Sequence, residues 1–266
     1  MQANYRIPII RQADYAGDLG QIEIDYEHPL HHEELVLLSD YPVTAQSYYA
    51  RTDGHNPPFF RAVPGSRPDV WVRKTIAEML VQVNQLLLPY NREVFVLDGY
   101  RSVECQRGLW DFYYAQARQL MPAGNHEDWA NYCKDYIVDP SNFSPDDPNT
   151  WSAHANGAAV DVTLRCLLSQ NIIDMGGNFE EITEMSDSAY YEGLLNEGKV
   201  VADDPGLINR RQLHWAMHQT GFINDPFVFW HYDWGSQLYV KLANKLSGRR
   251  LDKAWYDYLP QPALPT

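Results

Sequence analysis

The stretch Ser152-Ala153-His154-Ala155-Asn156-Gly157-Ala158-Ala159-Val160-Asp161 places an imidazole and a carboxylate seven residues apart across a glycine, in otherwise small and apolar company. A neutral imidazole and an ionised carboxylate are ligand types that a borderline ion such as Zn2+ takes, and a three-ligand site with one open position is its catalytic form. Ala158 to Leu164 alternates as a strand carrying Asp161 on one face. A third ligand has to come from elsewhere. Phe227-Val228-Phe229-Trp230-His231-Tyr232-Asp233-Trp234-Gly235 sets one histidine inside an aromatic run that reads as a buried strand, and His231 is the candidate. The fold expected around these stretches is α+β: a small antiparallel central sheet flanked by helices, with the metal in a cleft between the two motif-bearing strands.

Working outward, Pro68-Asp69 supplies a breaker and a cap, after which Val72, Ile76, Met79, Leu80, Val83 and Leu87 recur at helical spacing. Glu93 to Leu97 is a short β-rich run that delivers Asp98 to Arg101 at a strand end, and a second helix is expected over 103–120. Residues 121–150 read as an acidic, proline-rich loop leading into the histidine motif, in the position of a lid. Further helices are expected over 207–220 and 236–246. The domain reading is an N-terminal extension over 1–68 packed on a core over 69–248, then a C-terminal tail over 249–266.

The chain of 266 residues is best read as one domain with insertions. A formal charge of -14 and a pI near 4.9 argue against nucleic acid, whose phosphates call for clustered Lys and Arg. No apolar run reaches 18 residues and the start lacks the regions of a secretory signal, so a cytoplasmic protein without a membrane span is expected. Cys105, Cys133 and Cys166 are odd in number and lack C-x-x-C spacing, so free thiols are expected.

The pattern S-x-H-x-x-G-x-A-x-D over Ser152 to Asp161, with the later Trp230-His231, resembles the zinc D-Ala-D-Ala dipeptidase and carboxypeptidase family that includes the vancomycin-resistance dipeptidases. Asp98-Gly99-Tyr100-Arg101 is similar to its D-G-Y-R-P signature, with Ser102 for the proline, and Asp174 to Phe179 to its D-M-G-T-x-F-D stretch. Ser186-Asp187 stands where a serine-histidine pair follows in the family. The resemblance implies a metallopeptidase that takes a small dipeptide, with Zn2+ on His154, Asp161 and His231 and with Arg101 polarising the scissile carbonyl and stabilising the oxyanion. It also implies substrate contacts at Ser152, which could instead cap the motif's turn, and at Glu180, placed to meet an ammonium group. Tyr232, beside His231, is a further candidate contact.

One departure bears on mechanism. The glutamate of the family's E-x-x-H, its general base, is Val228 here. General acid and base work contributes about 10²- to 10⁴-fold, so slow hydrolysis is expected unless another acid substitutes. Asp225 and Asp233 are near in sequence, and Asp233 shares a strand face with His231, which makes it the first candidate. Two alternatives follow: a binding or sensing descendant that keeps ion and pocket without hydrolysis, and an Fe2+-dependent oxygenase-type enzyme using the same two histidines and one carboxylate. His214 and His218, at i and i+4 on an expected helix, form a rival pair without the glutamate of H-E-x-x-H, since Trp215 stands there.

Overall fold

The computed structural model describes residues 5–11, 22–134, 137–181 and 183–260. In chain order it contains β1 (Glu23–Ile24), β2 (Leu35–Leu37), β3 (Thr44–Ala45), β4 (Trp71–Arg73), α1 (Lys74–Leu87), β5 (Arg92–Asp98), α2 (Val103–Leu120), α3 (His126–Lys134), β6 (Ala159–Cys166), α4 (Tyr190–Asn196), α5 (Pro205–Gln219), β7 (Ile223–Asn224), β8 (His231–Asp233), α6 (Gln237–Leu246) and β9 (Lys253–Ala254). The central sheet runs β3-β5-β6-β8-β7. All its pairs are antiparallel except β3 with β5, which is parallel. The fold is α+β with a small, mainly antiparallel sheet, as the alternating and helical patterns imply.

Alternation within the strands sends two sets of side chains to two apolar layers. Val94, Val96, Val160, Val162 and Leu164 join Ile76, Leu80 and Val83 of α1 and Leu213 and Met217 of α5 in one buried cluster. Phe95 and Leu97 join Tyr49, Phe59 and, from α2, Leu109 and Tyr113 in another. Between Val96 and Asp98 the β5–β6 register slips by one residue, so that Val96 pairs with Val162 but Asp98 pairs with Asp161. Such a bulge lets two consecutive residues face one side. Leu97 fills the second cluster, and Asp98 is turned to the same side, beside Asp161.

Several expectations shift. Trp71 to Arg73 pair with Leu35 to Leu37 as strands, so the helix expected from 69 begins at Lys74. The stretch 121–150 contains α3, whose start is held by the Asn125 side chain accepting from Glu127 N–H and Asp128 N–H and whose Ala130 and Cys133 are buried. Of the aromatic run only His231 to Asp233 is strand. Residues 1–68 do more than pack on a core, since β3 is an edge strand of the central sheet and β1 pairs with β9 of the tail. The tail's Tyr256 is fully buried; residues 261–266, with Pro262 and Pro265, lie outside the described residues. No described helix is long and apolar enough to cross a membrane.

Candidate metal centre

Three strands place one side chain each in a row: Asp98 on β5, Asp161 on β6 and His231 on β8 are directly opposite one another. His154 reaches the same row from the 3-10 turn Ala153–Asn156 just before β6. That turn is built by its sequence. The Ser152 hydroxyl caps it by accepting from His154 N–H, and Gly157 closes it at φ +72°, where a Cβ would stand 2.4 Å from Leu35 Cδ2. The buried Arg73 pins the exit, its Nε donating to Asn156 O at 2.7 Å. The two motifs also interlock, since His154 Nδ1 lies 2.8 Å from Gly99 O and Arg101 N–H donates to His154 O.

With Nδ1–H of His154 donating to Gly99 O, its Nε2 lone pair faces inward. It lies 3.2 Å from His231 Nδ1 and 3.4 Å from Asp161 Oδ2, and His231 Nδ1 lies 3.0 Å from Asp161 Oδ1. Bonds of about 2.0 Å to a tetrahedral ion require donors about 3.3 Å apart, so the three groups outline one face of such a coordination shell. Among the described residues they form the one group of three or more ligand-type side chains gathered in this way. The outer nitrogen of His231 is held too: Nε2 lies 2.7 Å from Asp233 Oδ2. A ligand histidine is oriented through its second nitrogen, and here a carbonyl and a carboxylate supply the two acceptors.

The electrostatics suit a cation. Asp98, Asp161 and Asp233 are buried, and Arg101 alone is the permanent cation among them, bonding Asp98 Oδ2 through Nε at 2.8 Å and Asp161 Oδ2 through Nη2 at 3.1 Å. Burial pushes the Asp161 carboxyl up, but the apposed His154 and His231 outweigh it and hold it below the carboxylate range. Burial likewise opposes charge on His231, yet Asp233 and Asp161 carry its pKa well above that of free imidazole. The sequence drew no attention to two of Arg101's partners. Tyr49, whose ring lies 4.8 Å from the guanidinium carbon, accepts from Nη2, and Gln106 accepts from Nη1. Tyr49 lies in the N-terminal segment, where no local pattern marks it; Asp98 was visible in the D-G-Y-R stretch.

The remaining candidates divide. Ser152 lines a small cavity with Arg101, Pro140 and Phe143, so the segment before the motif does cover this edge. Glu180, at φ +64°, accepts from the hydroxyls of Tyr49 and Tyr113 and lines a cavity of about 330 Å³ with Pro57, Pro58 and Phe179. Asp233 has both oxygens engaged, one by His231 and one by the Ser236 hydroxyl, and is fully buried. Tyr232 is a correction: neighbours on a strand point to opposite faces, and it enters the core beside Arg210, Leu213 and Phe229, away from His231. The expected cleft is corrected also, because β6 and β8 are hydrogen-bonded neighbours and the site lies on the sheet face over them.

Residues 65–247 match the peptidase M15 family, described as D-ala-D-ala dipeptidase. The chain belongs to that family. A D-alanyl-D-alanine dipeptidase of Synechocystis sp. is 28% identical over 163 residues, a match that spans 58% of this chain and 64% of the relative's length. One from Enterococcus faecium is 24% identical over 59% of this chain and 69% of its own. Among solved structures, VanYB in complex with D-Alanine-D-Alanine is 15% identical, with a TM-score of 0.40 over 67% of this chain and 79% of that one.

Proposed function

We propose that this protein is a zinc dipeptidase that hydrolyses short D-amino-acid peptides such as D-Ala-D-Ala, with His154, Asp161 and His231 as metal ligands. The observation that carries the reading is the convergence of three ligand groups, with His154 Nε2 3.2 Å from His231 Nδ1 and the two oxygens of Asp161 3.4 Å and 3.0 Å from those nitrogens, backed by an acceptor on the outer nitrogen of each histidine. A zinc ion held there would polarise the peptide carbonyl and ready a water for attack. Membership of a dipeptidase family favours hydrolysis over the oxygen chemistry the same donors could serve with Fe2+.

The chain's own residues then take these parts. Arg101 is fixed by Asp98, Asp161, Tyr49 and Gln106, and Nη1 keeps one N–H beyond its bond to Gln106 to meet the oxygen on which charge develops. Ser152 offers its hydroxyl to the dipeptide's carboxylate, and Glu180 its carboxylate to the ammonium end. Asp233 works through His231, setting its tautomer. A cytoplasmic setting belongs to this reading and is supported by three unpaired cysteines.

The test is release of D-alanine from D-Ala-D-Ala by protein loaded with one equivalent of zinc, with L-Ala-L-Ala alongside. Hydrolysis of the D,D substrate that disappears with a chelator and returns with zinc is expected. Zinc-loaded protein that cleaves no dipeptide would overturn the reading in favour of a binding descendant.

A further inference from the structure

Val228 offers no proton acceptor, and its side chain packs against the main apolar cluster. The sheet supplies a carboxylate at another place. β7 and β8 pair Ile223 with Asp233 and Asn224 with Tyr232, and the next step of that register sets Asp225 opposite His231, its N–H donating to His231 O at 3.1 Å. Residues directly opposite on antiparallel strands share a face, with Cβ atoms about 5 Å apart. The row of Asp98, Asp161 and His231 therefore gains a fourth member, and Asp225 stands beside the His231 ring on the side away from Asp161.

The same register places Asp233 on that face, so Asp225, His231 and Asp233 share one edge of the sheet. Asp187 and Asp225 also repel one another. A turn fixes Asp225 in place: Oδ1 accepts from Phe227 N–H at 3.0 Å, and Val228 N–H donates to Asp225 O at 3.2 Å.

We propose that Asp225 is the general base of this protein, taking from the neighbouring strand the part that a glutamate at 228 would have played. The inference rests on the dipeptidase reading above. The water oxygen bonds to the peptide carbonyl carbon while one water proton passes to Asp225. As the C–N bond breaks, Asp225 returns that proton to the leaving nitrogen. The second water proton follows to the same nitrogen, so that a carboxylate and an ammonium group leave and no oxidant or other reactant is needed.

Asp225→Asn tests this, because asparagine keeps the acceptor for Phe227 N–H and with it the turn. With zinc still at one per chain, kcat for D-Ala-D-Ala should fall about 10²-fold or more with KM little changed. The visible spectrum of Co2+-loaded protein at fixed pH should change in Asp225→Asn and stay as it is in Asp187→Asn. If Asp225→Asn keeps kcat within about threefold, Asp225 is not the base and the zinc dipeptidase reading stands. If zinc-loaded wild-type protein cleaves no dipeptide, that reading fails, and the cobalt spectrum then decides alone: an unchanged spectrum in Asp225→Asn removes Asp225 from the ion's surroundings as well.

Discussion

Two of the histidine pairs whose rings meet, His154 with His231 and His214 with His218, differ in almost everything that matters to a metal. His154 and His231 come from different elements, 77 residues apart, and meet over Asp161. His214 and His218 lie one turn apart on α5 with their rings stacked, centroids 5.6 Å apart and planes 18° from parallel. The helical pair has the spacing that a sequence search rewards. Among the described residues no carboxylate joins it in a ligand group, and His214 Nδ1 is already met by the Tyr5 hydroxyl at 2.5 Å. Burial, then the neighbouring His218, lowers His214 to about 3, so the ring stays neutral as a core side chain. Of the two, the sheet row alone combines a carboxylate among its donors with an acceptor behind each ring.

Substitutions in the row itself should have the largest effects. His154→Ala or Asp161→Ala should reduce D-alanine release at least about 10³-fold, since Lewis-acid assistance is worth several kcal/mol and each 1.36 kcal/mol is tenfold in rate. His214→Ala should retain turnover, measured in the same assay. Next in size is Arg101→Lys, which keeps the charge beside Asp98 and Asp161 but loses the planar fork. A fall in kcat on the scale of one oxyanion donor, about 10²- to 10³-fold, is expected without loss of the folding transition. A fall confined to thermal stability would reassign Arg101 to structure.

Asp233→Asn sharpens the role of the acceptor behind His231. Zinc affinity measured against a competing chelator should drop about 10- to 100-fold, while an effect on turnover with no change in affinity would point to direct contact with substrate. The smallest effect belongs to the helical pair. The folded-state pKa of His214 lies below its unfolded value of 6.5, so its contribution to stability is full above 6.5 and is lost as pH falls toward 3. The loss is on the order of 1 kcal/mol over the first pH unit below 6.5. Urea midpoints in wild-type protein should show this slope, and His214→Phe should flatten it.

What could be read from the chain alone follows how local each signal is. The 103–120 helix is marked by its apolar spacing and forms with those limits, and the structure adds its cap, the Ser102 hydroxyl accepting from Cys105 N–H. The two histidine-bearing stretches were legible as residues because glycine and alanine at fixed places carry a geometric demand, met by Gly157 in its left-handed turn. The aromatic run misled because an apolar stretch has no period of its own, whereas Asp225-Pro226 marks a turn that ends β7 and restarts the chain at His231. Tyr49 over Arg101 and Asp225 opposite His231 depend on pairings between distant strands, which no local window contains.

Metal analysis of zinc-loaded, desalted protein is the direct test of whether the row holds one divalent ion and the helix none. About one zinc per chain is predicted for wild-type protein and for the double variant His214→Ala/His218→Ala, and close to none for His154→Ala. Zinc retained in His154→Ala and lost from the helical double variant would contradict the account.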